Sequence, residues 1–171
     1  IAVSAATMLT LLNILGTKQS ALVNNILVVT KIGILALFIT VGLGNVSLQN
    51  YSPFLPNGYT GVLQGAAFIF FAYLGFGRIA ILAEEVKNPQ KTLPKAIFIA
   101  LVTSIILYAF TGFTEAGLLN YRTLAHSGSP LADAAKVTGN DAIVFLVSVG
   151  ALVATTSVLL TSLIGLSRVS F

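Results

Sequence analysis

Few side chains in this sequence could do chemistry, and the first is Lys31. It is the only charged residue between Lys18 and Arg78. It lies about seven residues into an apolar run of helical length, roughly 9–10 Å along an axis that rises ~1.5 Å per residue. An ammonium at membrane depth is costly, with estimates starting around 2.5–3.5 kcal/mol at the centre of a span. Two arrangements relieve that cost. The side chain can snorkel back to the interface, or it can face the protein interior and meet carbonyls and hydroxyls. In the second arrangement the lysine could bind and release a proton during a cycle.

The second signal is Gly75-Phe76-Gly77, followed directly by Arg78. Glycine is a poor residue for a helix interior. A helix interrupted at membrane depth frees backbone carbonyls and N–H groups, which hydrocarbon forbids unless they line a cavity or meet a ligand. Broken helices of this kind form substrate sites in secondary transporters. The competing reading is that the glycines only allow close helix packing, as Gly61 and Gly65 do at GxxxG spacing. A third signal is a stripe of small and hydroxyl residues: Gly150, Ala154, Ser157, Thr161 and Gly165. Their steps of three and four put them on one helical face, which suits tight packing. Thr156 and Ser157 stand out because a hydroxyl pair can coordinate a cation or an ammonium. Glu84 and Glu85 sit beside Lys87, where a solvated or gate-type salt bridge suits them better than acid–base work. Glu115, Asp133 and Asp141 read as loop or interface charges.

Composition fixes the elements that must hold these groups. The 171 residues are 56% hydrophobic and 8% charged, with mean hydropathy +0.96. Soluble domains carry about 25% charged residues, so too few charges exist here to cover a water-facing surface. The net charge of +4 comes from nine scattered Lys and Arg, whereas phosphate binding needs a clustered basic face; a nucleic-acid partner is excluded. There is no cysteine, hence no disulfide or thiolate site, and the single histidine, His126, rules out a histidine-based metal cluster. The apolar runs offer only Lys31, Arg78 and hydroxyls at depth, too little for an enzyme, and nothing calls for a cofactor. The chain starts at Ile1 without a basic leader and ends at Phe171 in an apolar run, which reads as an internal fragment of one transmembrane domain.

A bilayer core of ~30 Å needs about 20 apolar helical residues. The runs are too long and too irregular for barrel strands. They predict an all-α integral membrane fold with spans over 1–16, 25–43, 60–86 (broken near 75–77), 93–117 and 142–166. Thr60 and Thr92 are the expected N-caps, with Pro94 in a first helical turn. A short surface helix is expected over 131–137, and Tyr51, Tyr59 and Tyr121 as interfacial anchors. With the connection from Glu84 to Lys95 placed inside, Lys18, Lys87, Lys91, Lys95 and Arg168 fall on that side. Arg122 and Lys136 fall on the other, which fits the positive-inside rule.

The run from Gly65 through Phe70-Phe71-Ala72-Tyr73-Leu74-Gly75-Phe76-Gly77, followed by Glu84-Glu85-Val86-Lys87-Asn88-Pro89-Gln90 and Leu93-Pro94-Lys95-Ala96-Ile97, resembles the amino acid–polyamine–organocation (APC) superfamily of permeases. Val23-Asn24-Asn25-Ile26, Lys31-Ile32-Gly33 and Gly150-Ala151-Leu152 are similar to it too. The resemblance covers essentially the whole chain. It implies the end of the fourth span through the eighth of a five-plus-five inverted-repeat transporter with a discontinuous sixth span. The first and third spans, and with them half of the substrate site, would lie in the missing spans of the same permease.

By that resemblance the partners are an amino acid substrate, a proton and membrane lipid, in the plasma (cell inner) membrane. The substrate would be held by Phe71, Leu74, Gly75, Phe76 and Gly77. The carbonyls of Phe71 and Leu74 would take its amino group, and the Phe71 ring would cover it. Lys31 would stand where sodium-coupled relatives hold a sodium ion, with Thr156 and Ser157 as the hydroxyls beside it; this implies proton coupling. Gly77, with Arg78 next, stands where many cationic amino acid carriers have an acidic residue, which argues against a lysine or arginine substrate and leaves a neutral or acidic one at least as suitable. The alternative is a non-transporting sensor or accessory subunit on a permease scaffold.

Overall fold

The computed structural model describes residues 17–73, 86 and 88–169. The expected span over 1–16 and the break near 75–77 lie outside these residues. Among those described, every regular element is helical. The helices are α1 (Thr17–Leu43), α2 (Gly58–Ala72), α3 (Pro89–Leu118), α4 (Tyr121–Ala125), α5 (Pro130–Lys136) and α6 (Asp141–Val169), with a 3-10 turn at Leu48–Tyr51. By length and composition α1, α3 and α6 can each cross a membrane. Their 27, 30 and 29 residues correspond to roughly 40–45 Å of helix. The fold is therefore all-α and membrane-spanning.

The helix starts differ from the expected ones for local reasons. α3 begins at Pro89, not at 93, and its N-cap is Asn88 in the left-handed region with φ 53°. Asparagine is among the few residues that tolerate this conformation. The carbonyl of Asn88 accepts from the N–H groups of Lys91 and Thr92 at 3.1 and 3.0 Å, so Thr92 lies inside the first turn rather than at the cap. Pro89 then takes the first helical position, where a missing N–H costs little. Pro94 falls in the second turn, where it deprives the Gln90 carbonyl of its i+4 donor. α2 likewise starts at Gly58, with Asn57 rather than Thr60 as N-cap. Gly58 has φ 61°, which suits a residue without a Cβ.

α1 and α6 run antiparallel, and two contacts set their register. Ser157 of α6 meets Asn24, and Gly150 faces Ile34, whose Cγ2 lies 3.0 Å from where a Cβ would stand. α3 packs beside α1 where both end. Gly42 leaves the room that the Thr114 methyl and Leu118 occupy. The connection after α1 folds over the end of α3. The Ser47 N–H and the Asn50 side-chain amide both donate to the Gly117 carbonyl, at 2.9 and 2.8 Å. The Tyr51 hydroxyl donates to the Phe113 carbonyl at 2.8 Å, and its ring stacks on that of Phe113 with centroids 5.0 Å apart. Tyr51, expected as an interfacial anchor, thus also bonds a helix end. The donors to Gly117 satisfy a terminal carbonyl that the helix cannot satisfy itself, and the Tyr51 bond adds a tie one turn further in.

The buried apolar residues gather at this end. Phe38, Leu118, Ala134, Ala135, Ile143 and Val147 form one cluster from α1, α3, α5 and α6. α5 contributes two alanines with 0% exposure, and its polar side is held by Asp133. That carboxylate accepts from Lys136 Nζ at 2.7 Å and from Ser127 Oγ at 2.5 Å. Both donors hold Asp133 below its ordinary value, Lys136 first and Ser127 second. A depressed folded-state value adds stability above the unfolded value of about 4, and that stability is lost as pH falls through the folded one. Acidification below about pH 4 is therefore expected to loosen α5. Asp133→Asn should remove this step from a pH titration of limited proteolysis in the 127–137 segment.

Candidate functional site

The hydroxyls of α6 come first, because the structure fixes their partners. Thr30 and Thr40 on α1, and Ser148, Thr155, Thr156, Thr161 and Ser162 on α6, donate to carbonyls three or four residues earlier. This is the usual way a helix satisfies a hydroxyl in apolar surroundings. Thr156 is one of these; its Oγ1 lies 2.7 Å from the Leu152 carbonyl. Ser157 differs. It is 3% exposed, and its hydroxyl donates to Asn24 Oδ1 of α1 at 2.8 Å.

Lys31 is half-buried on α1, seven residues after Asn24 and three before Ile34. Seven residues are two helical turns, so Lys31 shares the face that carries Asn24. The register places it between the Ser157 and Gly150 contacts, near the level of Leu152. Ser157 lies roughly 7–11 Å along the axis from it, at ~1.5 Å per residue. Among the described residues Lys31 has no hydrogen bond or ion pair, and the one ion pair is that of Lys136 with Asp133. The structure thus puts Lys31 and Ser157 on one α1–α6 seam, and it joins Ser157 to Asn24.

Asn24 is the residue that the sequence left without a role. Its signal was available: Asn24 and Asn25 are adjacent amides entering an apolar run, and a buried amide requires a partner. Interhelical polar bonds in membranes contribute about 0.6 kcal/mol on average and up to ~1.7 kcal/mol. Ser157→Ala should lower stability by about 1 kcal/mol, because it also strands the Asn24 carbonyl. The check is a double-mutant cycle with Asn24→Ala by thermal unfolding in detergent. Equal losses from the single and double variants are expected; additive losses would refute the pairing.

Of the expected substrate-binding residues, Leu74, Gly75, Phe76 and Gly77 lie outside the described residues. Phe71 is described. It is the penultimate residue of α2, its side chain is exposed, and its ring meets that of Phe70 edge-on at 6.3 Å. α2 ends by tightening. The Tyr73 N–H turns to the carbonyls of Phe70 and Phe71, with 3.1 Å to the former, an i→i+3 bond typical of a final helical turn. The Tyr73 ring then packs edge-on against Tyr108 of α3 at 5.4 Å. Fifteen residues give about 22 Å of helix, short of a ~30 Å hydrocarbon core.

No group of three or more metal-ligating side chains occurs among the described residues. The chemistry on offer is therefore a membrane lysine, a hydroxyl–amide pair and the end of a short apolar helix.

Comparison with known proteins matches the sequence to transporters. The profile described as amino acid permease matches residues 2–171. The chain is 43% identical over 156 residues to the methylthioribose transporter of Bacillus subtilis (strain 168), covering 91% of this chain and 34% of that protein. It is 37% identical to the branched-chain amino acid permease BcaP of the same organism, covering 95% of this chain and 35% of that one. It is 37% identical to the chloroplastic cationic amino acid transporter 9 of Arabidopsis thaliana, covering 94% and 28%. The chain spans about a third of the length of these curated relatives, whose names are those of transporters and permeases. A membrane-spanning helical chain matched along almost its whole length in this way belongs to the amino acid permease family.

Proposed function

We propose that the protein containing this chain carries amino acids across the cell's plasma membrane as a secondary permease, coupled to protons and working by alternating access. The observation that supports the reading most is the end of α2. A helix of 15 residues that closes on the carbonyls of Phe70 and Phe71 ends short of a full crossing. The last carbonyls of a helix lack donors from their own helix, and a substrate amino group is a suitable partner for them. Phe71 through Gly77 would hold the substrate's charged groups with backbone atoms, and the Phe71 ring would cover it. Lys31 would carry the coupling proton, with Thr156 and Ser157 along the same seam. The remaining half of the site would come from spans beyond this chain.

Gly77 stands where many cationic carriers have an acidic residue and Arg78 follows it, which favours a neutral or acidic amino acid at least as much as lysine or arginine. The relatives' names are mixed: one methylthioribose transporter, one branched-chain permease and one cationic carrier. A test panel must cover all three classes. The full-length protein in liposomes should accumulate a labelled neutral or acidic amino acid when an inward proton gradient is imposed, and not when an inward sodium gradient replaces it. Specific binding without uptake under any gradient would overturn transport in favour of a sensor or accessory subunit.

A further inference from the structure

One face of α3 carries groups that the reading above leaves unused. Ser104, Tyr108, Thr111 and Glu115 follow one another at steps of four, three and four, so they share a single helical face. Tyr108 is exposed, and the other three are half-buried. Val102, Ile106, Phe110 and Phe113 occupy the opposite face, and all four are exposed. The apolar face suits hydrocarbon, and the polar one does not. The hydroxyls of Thr30, Ser148 and Thr156 hide from lipid by bonding to their own helices. On α3 the hydroxyls of Ser104, Tyr108 and Thr111 and the carboxylate of Glu115 form no hydrogen bond among the described residues, and Glu115 forms no ion pair there. Three free hydroxyls and a carboxylate along one side of a spanning helix face water or a polar interior, not lipid.

We infer that this face of α3 lines a water-filled path that leads a small polar solute from the Leu118 end of α3 to the end of α2. The inference deepens the permease reading and rests on it for the solute, because the path ends where that reading puts the substrate. The juxtaposition that carries it is the edge-on contact of the Tyr73 ring with the Tyr108 ring at 5.4 Å. Tyr73 closes α2, and Tyr108 lies ten residues before Leu118, about 15 Å along the axis. The end of α2 is therefore set beside the polar face, a third of the way along α3. Both ends of the face call for water. At one, the Glu115 carboxylate has no cation beside it. Lys136 is engaged by Asp133, and Lys31 is 11 residues before Gly42, roughly 16 Å along α1. At the other, α2 stops within the crossing, and a helix end there has peptide groups to solvate. α1 packs on the adjoining face of α3, with Gly42 against Thr114 and Leu118, and so walls the path on one side without filling it.

Modification of single cysteines in the full-length protein reads this path without any need for transport. The chain has no cysteine of its own, and any elsewhere in the protein is first replaced by serine. Ser104→Cys and Thr111→Cys are compared with Ile106→Cys and Phe110→Cys in open membrane fragments, where a charged methanethiosulfonate reaches both faces of the bilayer. The first pair should react at least ~10-fold faster than the second, because a thiol ionises in water and not in hydrocarbon. Equal rates, or no reaction at any of the four, would overturn the proposal and put another polar helix against this face. Thr111→Cys should also prefer a cationic reagent to an anionic one, and adding Glu115→Gln should reduce that preference severalfold; an unchanged preference would overturn the place of Glu115 in the path. Uptake measured alongside separates the two readings. Fast reaction in a protein that transports no amino acid keeps the path and removes the permease. Proton-driven uptake with equal rates does the reverse.

Discussion

Replacing Gly117 by valine should markedly destabilise the bundle. A Cβ at this position would collide with the Tyr51 hydroxyl and stand 2.7 Å from Val46 Cγ1, closer than real Cβ contacts allow. Tyr51 cannot simply rotate away, because it is fixed by its bond to the Phe113 carbonyl and by stacking on the Phe113 ring. The larger side chain would push the connection off α3 and break the bonds from Ser47 and Asn50 to the Gly117 carbonyl. Overpacking costs about 1–3 kcal/mol, and each hydrogen bond lost adds roughly 0.5–1.5 kcal/mol. A total of about 3–5 kcal/mol is expected, read as a fall of roughly 10 °C in the thermal unfolding midpoint of the detergent-solubilised protein. Gly128→Ala is the control, since nothing lies within 4 Å of its would-be Cβ; it should leave the midpoint unchanged. An unaltered midpoint for Gly117→Val would mean that the connection does not sit on α3.

The second large effect is expected at Lys31. An inward step of one pH unit supplies about 1.4 kcal/mol per proton, or roughly tenfold accumulation for one proton per substrate. Lys31→Ala should abolish that factor, so that uptake in liposomes with and without the gradient becomes equal. Exchange of labelled for unlabelled substrate should persist, because Lys31 sits on the α1–α6 seam while the proposed substrate groups begin at the end of α2. Lys31→Arg should behave like the alanine variant, since a guanidinium does not release its proton in this pH range. Undiminished gradient-driven accumulation in Lys31→Ala would return the lysine to a snorkelling role. Loss of exchange as well would place it in the substrate site itself.

The fold class was legible because hydrocarbon imposes length and polarity on every crossing segment, and a chain with 8% charged residues has no other way to fold. Helix starts were read less well. Thr60 and Thr92 have the chemistry of caps, but so do Asn57 and Asn88, and sequence alone does not say which polar residue of a cluster leaves the helix first. The positive φ at Asn88 decided one case, and it is a property of the backbone. The α6 hydroxyls were recognised as a stripe, and one of them does bond across the seam. Its partner, Asn24, is 133 positions away, and only the register between helices brings the two together.

The fastening of the connection to α3 also bears on how such a molecule can move. Ser47, Asn50 and Tyr51 tie the end of α1 to the end of α3, and the buried alanines of α5 join both to α6. Mechanically these helices form one body at this end, because separating α1 from α3 breaks the polar bonds of the connection and displacing α5 or α6 opens the apolar cluster. α2 is attached through residues 52–57, which carry no such tie among the described residues. A pivot for α2 therefore belongs in this short segment, where rotation of a few backbone angles could tilt the helix while the latch on α3 stays closed.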